Sequence, residues 1–581
     1  MRTMRKTGLT TAPMVIGYVG VLTTLAINPW YALDPINLPK MFILTTGAAT
    51  LVGWIIFQIK NGNKPYLPIV ALSIFFVLSL LASFFTNIAP WYQQLWGTWG
   101  RSTGLITYLA FIVMMVSALL VSSNDSTQKI RVLFERLGYF ISLYTLIQLM
   151  EIDPINWSQK AMVATLGNIN FMSSFLGLAA ISYSCRLLLE KLSISSKLFF
   201  LFLTSLNLYL ILISQSIQGV GVFFAGLTLL LTFKIRHSHN LLKSLIFLVS
   251  TIVIGIIVFV GTLGLGPLSA LRQNTVLFRL DYWQAGINML IANPINGVGI
   301  DSYGDYYREY RTLEAVTRTG PQRVTNTAHN IFLDIFSGAG IFAGLFFTLI
   351  MLLTAKAIFS ALKGNFVNVD FISFSAMWLG FMVFLLISIN QIGVGVWGFI
   401  FTGLVNGFVI RSRIDKGKIE GAVYAGKRKT ERSISENLKN LGEAADLKSP
   451  NRALQFTVSG ALAIAVGTLS LIPNVADARF VSAIRSSNLD QAMKVVNSPG
   501  IQDFHIERLI SALAEAGRSK ESLELAQLLT RQNPQSWPAW VAIVSSGIAT
   551  RDQRVRAANE LFRLDPNNEL VKKEINAALF P

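Results

Sequence analysis

One histidine and a set of arginines stand together in a single polar stretch of an otherwise apolar chain. Residues 267–328 carry Arg279-x3-Trp283, then Asn293-Pro-Ile-Asn-Gly-Val-Gly299, then Tyr303, and His329-Asn330 follow directly. An imidazole titrates near neutrality, so His329 is suited to take a proton from a hydroxyl group. Arginine keeps its charge and meets phosphate through two parallel hydrogen bonds, which suits Arg279 to hold a pyrophosphate leaving group. The same side chain is equally suited to snorkel at a membrane interface. Arg308, Arg311, Arg318 and Arg323 add positive charge to the stretch, and Arg311 and Arg323 are taken as candidates to line the site. Trp283 and Tyr303 either stack on sugar rings or sit among lipid headgroups.

Three of the four histidines are set aside by position. His237 and His239 lie beside Lys234 and Arg236 in a short basic loop, and His505 lies in the C-terminal region. A lone histidine cannot build a histidine-based zinc site, and the single cysteine, Cys185, gives no cysteine cluster and no intrachain disulfide. Asp281, Asp301, Asp305 and Asp334 match no carboxylate metal motif by spacing. Asn296-Gly-Val-Gly299 lacks the strand and helix that frame a nucleotide-binding glycine loop, so it reads as a tight turn ending a helix. Two further polar patches, around Trp96-Gly-Thr-Trp-Gly-Arg101 and Gly167-Asn-Ile-Asn170, are expected to wall the same site.

The elements that must position these residues are membrane helices. The chain has 581 residues, 52% of them hydrophobic and 14% charged, with a mean hydropathy of +0.52. Apolar runs of about 17–25 residues recur along it, long enough to cross a ~30 Å hydrocarbon core. The expected class is all-α, a polytopic helical membrane protein; a barrel would show short alternating segments. Thirteen spans are expected, the first at 12–29 and the last at 454–473. The net charge of +18 collects in short loops on alternate sides of the spans, which is a topology signal and excludes the nucleic-acid reading. It puts the N-terminus inside and the 267–328 loop outside; the start at Met1–Lys6 is read as leading into a retained first helix.

Four regions follow. Residues 1–410 form a membrane domain of about twelve spans, 411–453 a basic cytoplasmic linker, 454–473 an additional span, and 474–581 an extracytoplasmic helical repeat domain. In that last region Ala492 with Pro499, Ala526 with Pro534 and Ala558 with Pro566 recur at the period of ~34-residue tetratricopeptide-like hairpins.

Arg279-x3-Trp283, Asn293-Pro-x2-Gly297-x-Gly299, His329-Asn330 and Gly338-x-Gly340-x3-Gly344 together resemble the O-antigen ligase and polymerase superfamily, which includes bacterial O-linked oligosaccharyltransferases. Gly100-Arg-Ser-Thr-Gly104 and Gly167-Asn168-x-Asn170 resemble its weaker motifs. The resemblance covers roughly residues 12–410. It implies cofactor-free, metal-independent, inverting transfer of a glycan from an undecaprenyl-diphosphate carrier at the outer face of the cytoplasmic membrane, with a lipid, protein or wall-glycan acceptor. It further implies that Arg279 holds the diphosphate, that His329 activates the acceptor hydroxyl, and that Asn330 lies beside them. Where ligase-type members carry a mid-chain arginine, this chain has Ser214-Gln-Ser-Ile-Gln218-Gly219. Gln218, Arg101 or Arg272 is left to take over that contact. The expectation is a ligase, with a polymerase joining lipid-linked repeat units as the near alternative and a transporter or flippase as the distant one. The repeats are expected to recruit an acceptor or an envelope protein.

Overall fold

The computed structural model describes residues 11–60, 66–121, 124–155, 157, 161–365, 368–426, 451–569 and 572–573. Every regular element among them is helical, so the expected class holds. Among the described residues eleven helices are long and apolar enough to cross a membrane, and two apolar helices are shorter, Pro13–Leu25, at the place of the first expected span, and Leu105–Leu120.

The first half runs α1 (Thr11–Leu25), α2 (Asn37–Lys60), α3 (Leu67–Thr86), the short α4 (Trp91–Trp96), α5 (Leu105–Leu120) and α6 (Asn124–Leu149). It continues through α7 (Ile169–Leu189), α8 (Ile194–Ile213), α9 (Ile217–Ser238) and α10 (Leu241–Thr262). The polar stretch holds three helices, α11 (Asn274–Ala292), which is the helix expected to end at the glycine turn, and then α12 (Tyr303–Tyr310) and α13 (Leu313–Thr319). They close over a small core of their own, built from Tyr282, Met289, Val298, Tyr303 and Tyr307. Then come α14 (Ile331–Lys363), α15 (Val369–Ile387) and α16 (Ile392–Gly426). The apolar part of α16 is wholly buried at the centre of the bundle, whereas α10 shows most of its length to the outside. At the end of the bundle where α15 begins, Arg131 pairs with Asp370 (2.6 Å) and Glu190 (2.7 Å), and Arg186 pairs with Glu135 (2.7 Å), tying α6, α7 and α15 together.

Helix α14 is broken at Gly340, whose φ of 82° lies in the left-handed region. A Cβ there would collide with the Ile295 carbonyl, so only glycine fits. The break frees backbone groups inside the bundle, where an unpaired amide or carbonyl is costly. The Asn293–Gly299 turn pairs with them. Val298 donates to the Ser337 carbonyl at 2.8 Å, Gly299 to Gly338 at 2.9 Å, and Ile341 donates to the Pro294 carbonyl at 2.8 Å. The end of α3 clamps the same turn through Ser83 onto the Asn296 carbonyl (2.7 Å) and Asn87 onto the Gly297 carbonyl (2.9 Å). Here the break is filled by the backbone of the Asn293–Gly299 turn.

The boundary expected near residue 473 falls inside one continuous helix, α17 (Asn451–Arg485). Pro473 interrupts its hydrogen-bond ladder, because proline has no N–H to give the Leu469 carbonyl. That carbonyl is taken by Trp96 Nε1 at 3.1 Å. The far end of α17 sends Ala476, Phe480 and Ala483 into the core of the C-terminal helices, α18 (Leu489–Val495), α19 (Asp503–Glu515), α20 (Ser519–Gln532), α21 (Trp537–Ser545) and α22 (Arg551–Leu564). Of the expected linker, 411–426 continue α16 as helix, and 427–450, with the basic run at Lys427–Lys429 and Arg432, lie outside the described residues. So do Met1–Lys6 and residues 574–581.

The C-terminal helices are packed onto the α11–α13 segment. Buried Arg311 forms a two-point ion pair with Asp565 (3.1 and 2.5 Å), and Arg308 joins it at 3.2 Å while lying over Trp537. Trp99 stacks on Phe504 with ring centroids 3.6 Å apart. Gln502 donates to the Gly97 carbonyl, and Asn567 to the Arg311 carbonyl. Removing one member of a buried ion pair leaves a bare charge and typically costs about 3–5 kcal/mol. Asp565→Ala is therefore expected to lower the thermal midpoint of the full-length protein in detergent and to expose the 303–323 segment to protease. Asp565→Ala combined with Arg311→Met should recover most of the loss; an unchanged midpoint in the single variant would mean the pair does not hold the two parts together.

Candidate functional site

The docked turn at 293–299 fixes the C-terminal end of α11 against α14, which brings the α11 side chains beside the start of α14. Arg279, Tyr282 and Trp283 lie on adjacent turns of α11. His329 sits two residues before α14, and its ring stacks on Tyr282 at 5.7 Å and 29°. Its backbone lies in the left-handed region, φ 52°. A non-glycine residue held there typically costs about 1–3 kcal/mol and persists only where its surroundings enforce it.

The surroundings are specific. Asp334, in the first turn of α14, accepts from the Thr327 hydroxyl at 2.6 Å and from the Ala328 amide at 2.8 Å. The Thr327 hydroxyl oxygen accepts from the His329 amide at 3.1 Å. Asn330 caps α14, its side-chain oxygen accepting from the Phe332 and Leu333 amides at 3.0 and 3.3 Å. Arg101 reaches the same place from the loop before α5. It pairs with Asp301 at 3.2 Å and Asp334 at 3.7 Å, and donates to the Asn326 carbonyl at 2.6 Å.

Arg279 is placed differently. Among the described residues it makes no ion pair and no hydrogen bond, although it is only partly exposed. Burial pushes the His329 imidazole well below its ordinary value, to about 3, and the positive charges of Arg279 and then Arg101 push it the same way. His329 is therefore neutral at neutral pH, with a lone pair free to accept a proton. Burial also lowers the Arg279 guanidinium. Exposed Arg323 lies over the ring of Phe278, 4.7 Å from its centroid, next to Arg279 in the chain, and it too makes no ion pair among the described residues. One guanidinium without a counter-charge among the described residues, Arg279, thus acts on a neutral imidazole, with Arg323 over the neighbouring Phe278 ring, a pattern that favours a multiply charged anion.

The other expected site residues are distributed elsewhere. Tyr303 is buried and donates to the Tyr282 carbonyl at 2.5 Å, so it supports the Tyr282 backbone and faces no open site. Trp283 packs at the edge of the small tyrosine core. Gln218 is buried at the start of α9, its amide donating to the Ile387 carbonyl at 2.9 Å. Two expectations need correction. Arg311 cannot line a ligand site, because its guanidinium is filled by Asp565 and by the Pro321 and Arg323 carbonyls (2.9 and 3.1 Å). Arg101 is likewise committed to two carboxylates and a carbonyl, which leaves no net charge for a phosphate. A cavity of about 20 Å³ beside it, lined by Tyr108, Asp301 and Asp334, has room for one water molecule and none for a sugar.

Tyr282, Thr327 and Asp334 carry the histidine and were not singled out by their types. The available signals were the three-residue step from Arg279 to Tyr282 and an aspartate in the first turn after the Asn330 cap.

Residues 199–348 match the family described as O-antigen ligase. No curated protein matches the chain. The matched segment begins in α8 and ends in α14, so it contains Arg279, the docked turn, His329 and the break at Gly340. That match spans about a quarter of the 581 residues, and within it this polytopic helical chain is similar to the O-antigen ligase family.

Proposed function

We propose that the chain transfers a glycan from an undecaprenyl-diphosphate carrier to an acceptor hydroxyl at the outer face of the cytoplasmic membrane, acting as a ligase. The carrying observation is Arg279, without a counter-ion among the described residues, acting on a His329 imidazole whose backbone is held at φ 52°. In this reading Arg279, with Arg323 nearby, receives the diphosphate. His329 takes the proton of the acceptor hydroxyl; the hydroxyl oxygen bonds to the anomeric carbon from the face opposite the carrier. The bond from that carbon to the diphosphate oxygen breaks, its electron pair leaves with the lipid diphosphate, and Arg279 offsets the added charge. The anomeric configuration inverts, and no metal or cofactor is called upon. Asp334 and Thr327 position the histidine, and Arg101 pairs with Asp334.

The depressed basicity of His329 fits this order of events. Two cations and partial burial hold the imidazole neutral while the site is empty. An incoming diphosphate brings negative charge against Arg279, cancels part of that field and makes the imidazole a stronger base once the donor is bound. The C-terminal hairpins, read as tetratricopeptide-like, stand over the same segment and are suited to present an acceptor or an envelope protein.

Loss of a charge-stabilising donor or of a general base each costs about 10²–10⁴ in rate. Arg279→Ala and His329→Ala, expressed at wild-type level in a deletion strain, are therefore expected to abolish glycan attachment, with full-length glycan accumulating on its carrier. Accumulation of single repeat units would point to the polymerase, and unchanged surface glycan in both variants would remove the catalytic reading. Arg279→Lys should not restore activity, since an ammonium lacks the planar fork.

Asp334→Asn should lower kcat about 10²-fold, the cost of a misplaced catalytic group, with KM little changed. A parallel rise in KM would mean that Asp334 serves donor binding instead.

The pH profile carries a sign. With the free-protein imidazole near 3, kcat/KM should not fall as pH is lowered from 7 to 5. The acid limb of kcat, which reports the donor-bound state, should lie at higher pH. Coincident limbs would exclude the donor-driven shift.

A further inference from the structure

A second feature lies away from His329, where α17 passes the first helical hairpin. The end of α1, the start of α2 and the second half of α17 enclose an open groove of about 600 Å³, within the range of small-ligand sites. Its lining is ordered along the helix axis. Ile43, Leu471 and Val475 form an apolar floor on the membrane side. One and two turns further along α17, Arg479 and Ser482 stand with Asn28 at the rim. Arg479 is exposed and, among the described residues, makes no ion pair and no hydrogen bond. The amide of Asn474, between floor and rim, is already spent on the Leu38 and Ser470 carbonyls. Trp30 and Tyr31, 62% and 67% exposed, project from the loop above the groove, and Arg485 fixes that loop through the Trp30 carbonyl at 2.6 Å. Paired exposed aromatics of this kind mark the headgroup level of a bilayer.

We infer that this groove seats one anionic glycerophospholipid, with an acyl chain along Ile43, Leu471 and Val475 and its phosphodiester on Arg479. The order of apolar floor, cationic rim and aromatic belt repeats the order of acyl chain, phosphate and headgroup in a lipid. A neutral or cationic lipid would leave Arg479 without a counter-charge at a surface where each arginine draws anionic lipid. The inference concerns α1, α2 and α17 and stands independently of the glycan-transfer reading. A lipid seated there would lie between the bundle and the one helix that carries the C-terminal domain.

The test uses the full-length protein reconstituted separately with phosphatidylglycerol and with phosphatidylcholine, then stripped stepwise with detergent while bound lipid is counted by native mass spectrometry. Wild type should retain one phosphatidylglycerol beyond the number of phosphatidylcholines retained. Arg479→Glu, a change at an exposed position, should reduce retention of that lipid about tenfold, since the reversal replaces attraction with repulsion. Ala478→Trp, which fills the groove and leaves the charge intact, should also lose it. Equal retention of both lipids by wild type would overturn the inference. So would retention by Arg479→Glu at the wild-type level. Retention by Ala478→Trp alone would overturn occupancy of the groove, leaving only a charge at the surface. Thermal midpoints at the wild-type value certify that both variants are folded.

Discussion

A bundle of apolar helices offers no partner for a loose backbone group, and the break at Gly340 creates several at once. The Asn293–Gly299 turn answers them with its own amides and carbonyls. This backbone-to-backbone seam fixes α11 on α14 and so decides which side chains meet. Arg279 is carried on one of the joined elements and His329 precedes the other. Side-chain packing alone would allow the two to slide by a turn. Hydrogen bonds between main chains do not, because a one-residue slip would leave buried carbonyls unpaired.

Around the seam the charges divide into two kinds. Arg101, Arg131, Arg186 and Arg311 are matched by carboxylates, and their burial serves position. Arg279 and Arg323 have no such match among the described residues. Where the deeply buried arginines are neutralised with this regularity, the partly buried Arg279 beside the imidazole stands out as positive charge left open. The effect on His329 follows from the same division, since one matched and one unmatched arginine both act on the ring.

Much of this was legible in the sequence, and the rest was hidden for physical reasons. Span positions follow from run length and hydropathy, which depend on local composition only. The pairing of Arg279 with His329 was legible as order along the chain, because both flank one polar stretch. The roles of Arg101 and Arg311 were not. Whether an arginine is open or spent depends on carboxylates about 200–250 residues away, Asp301 and Asp565, and no local pattern reports that distance. Asp334 was visible only as one of four acids without a motif, since its partners are a backbone amide and a threonine. The helix that ends at the glycine turn was legible from its apolar spacing, whereas α12 and α13 were veiled by tyrosines and arginines that make 303–319 polar on average while the segment closes a core of its own. That the helix runs on through residue 473 was not legible, because the carbonyl that Pro473 leaves free is taken by an indole on another segment, Trp96.

The pairing of Arg311 with Asp565 has a consequence for how the molecule is made. Its two members are 254 residues apart, and the acid lies near the end of the chain. During synthesis the α11–α13 segment is complete long before its counter-charge exists, since α17 and the helices after it are still to be made. Until then a guanidinium destined for full burial has no partner, and the segment that flanks His329 stays unfinished. The C-terminal helices thus supply the counter-charge that the buried guanidinium of the α11–α13 segment lacks until they are made.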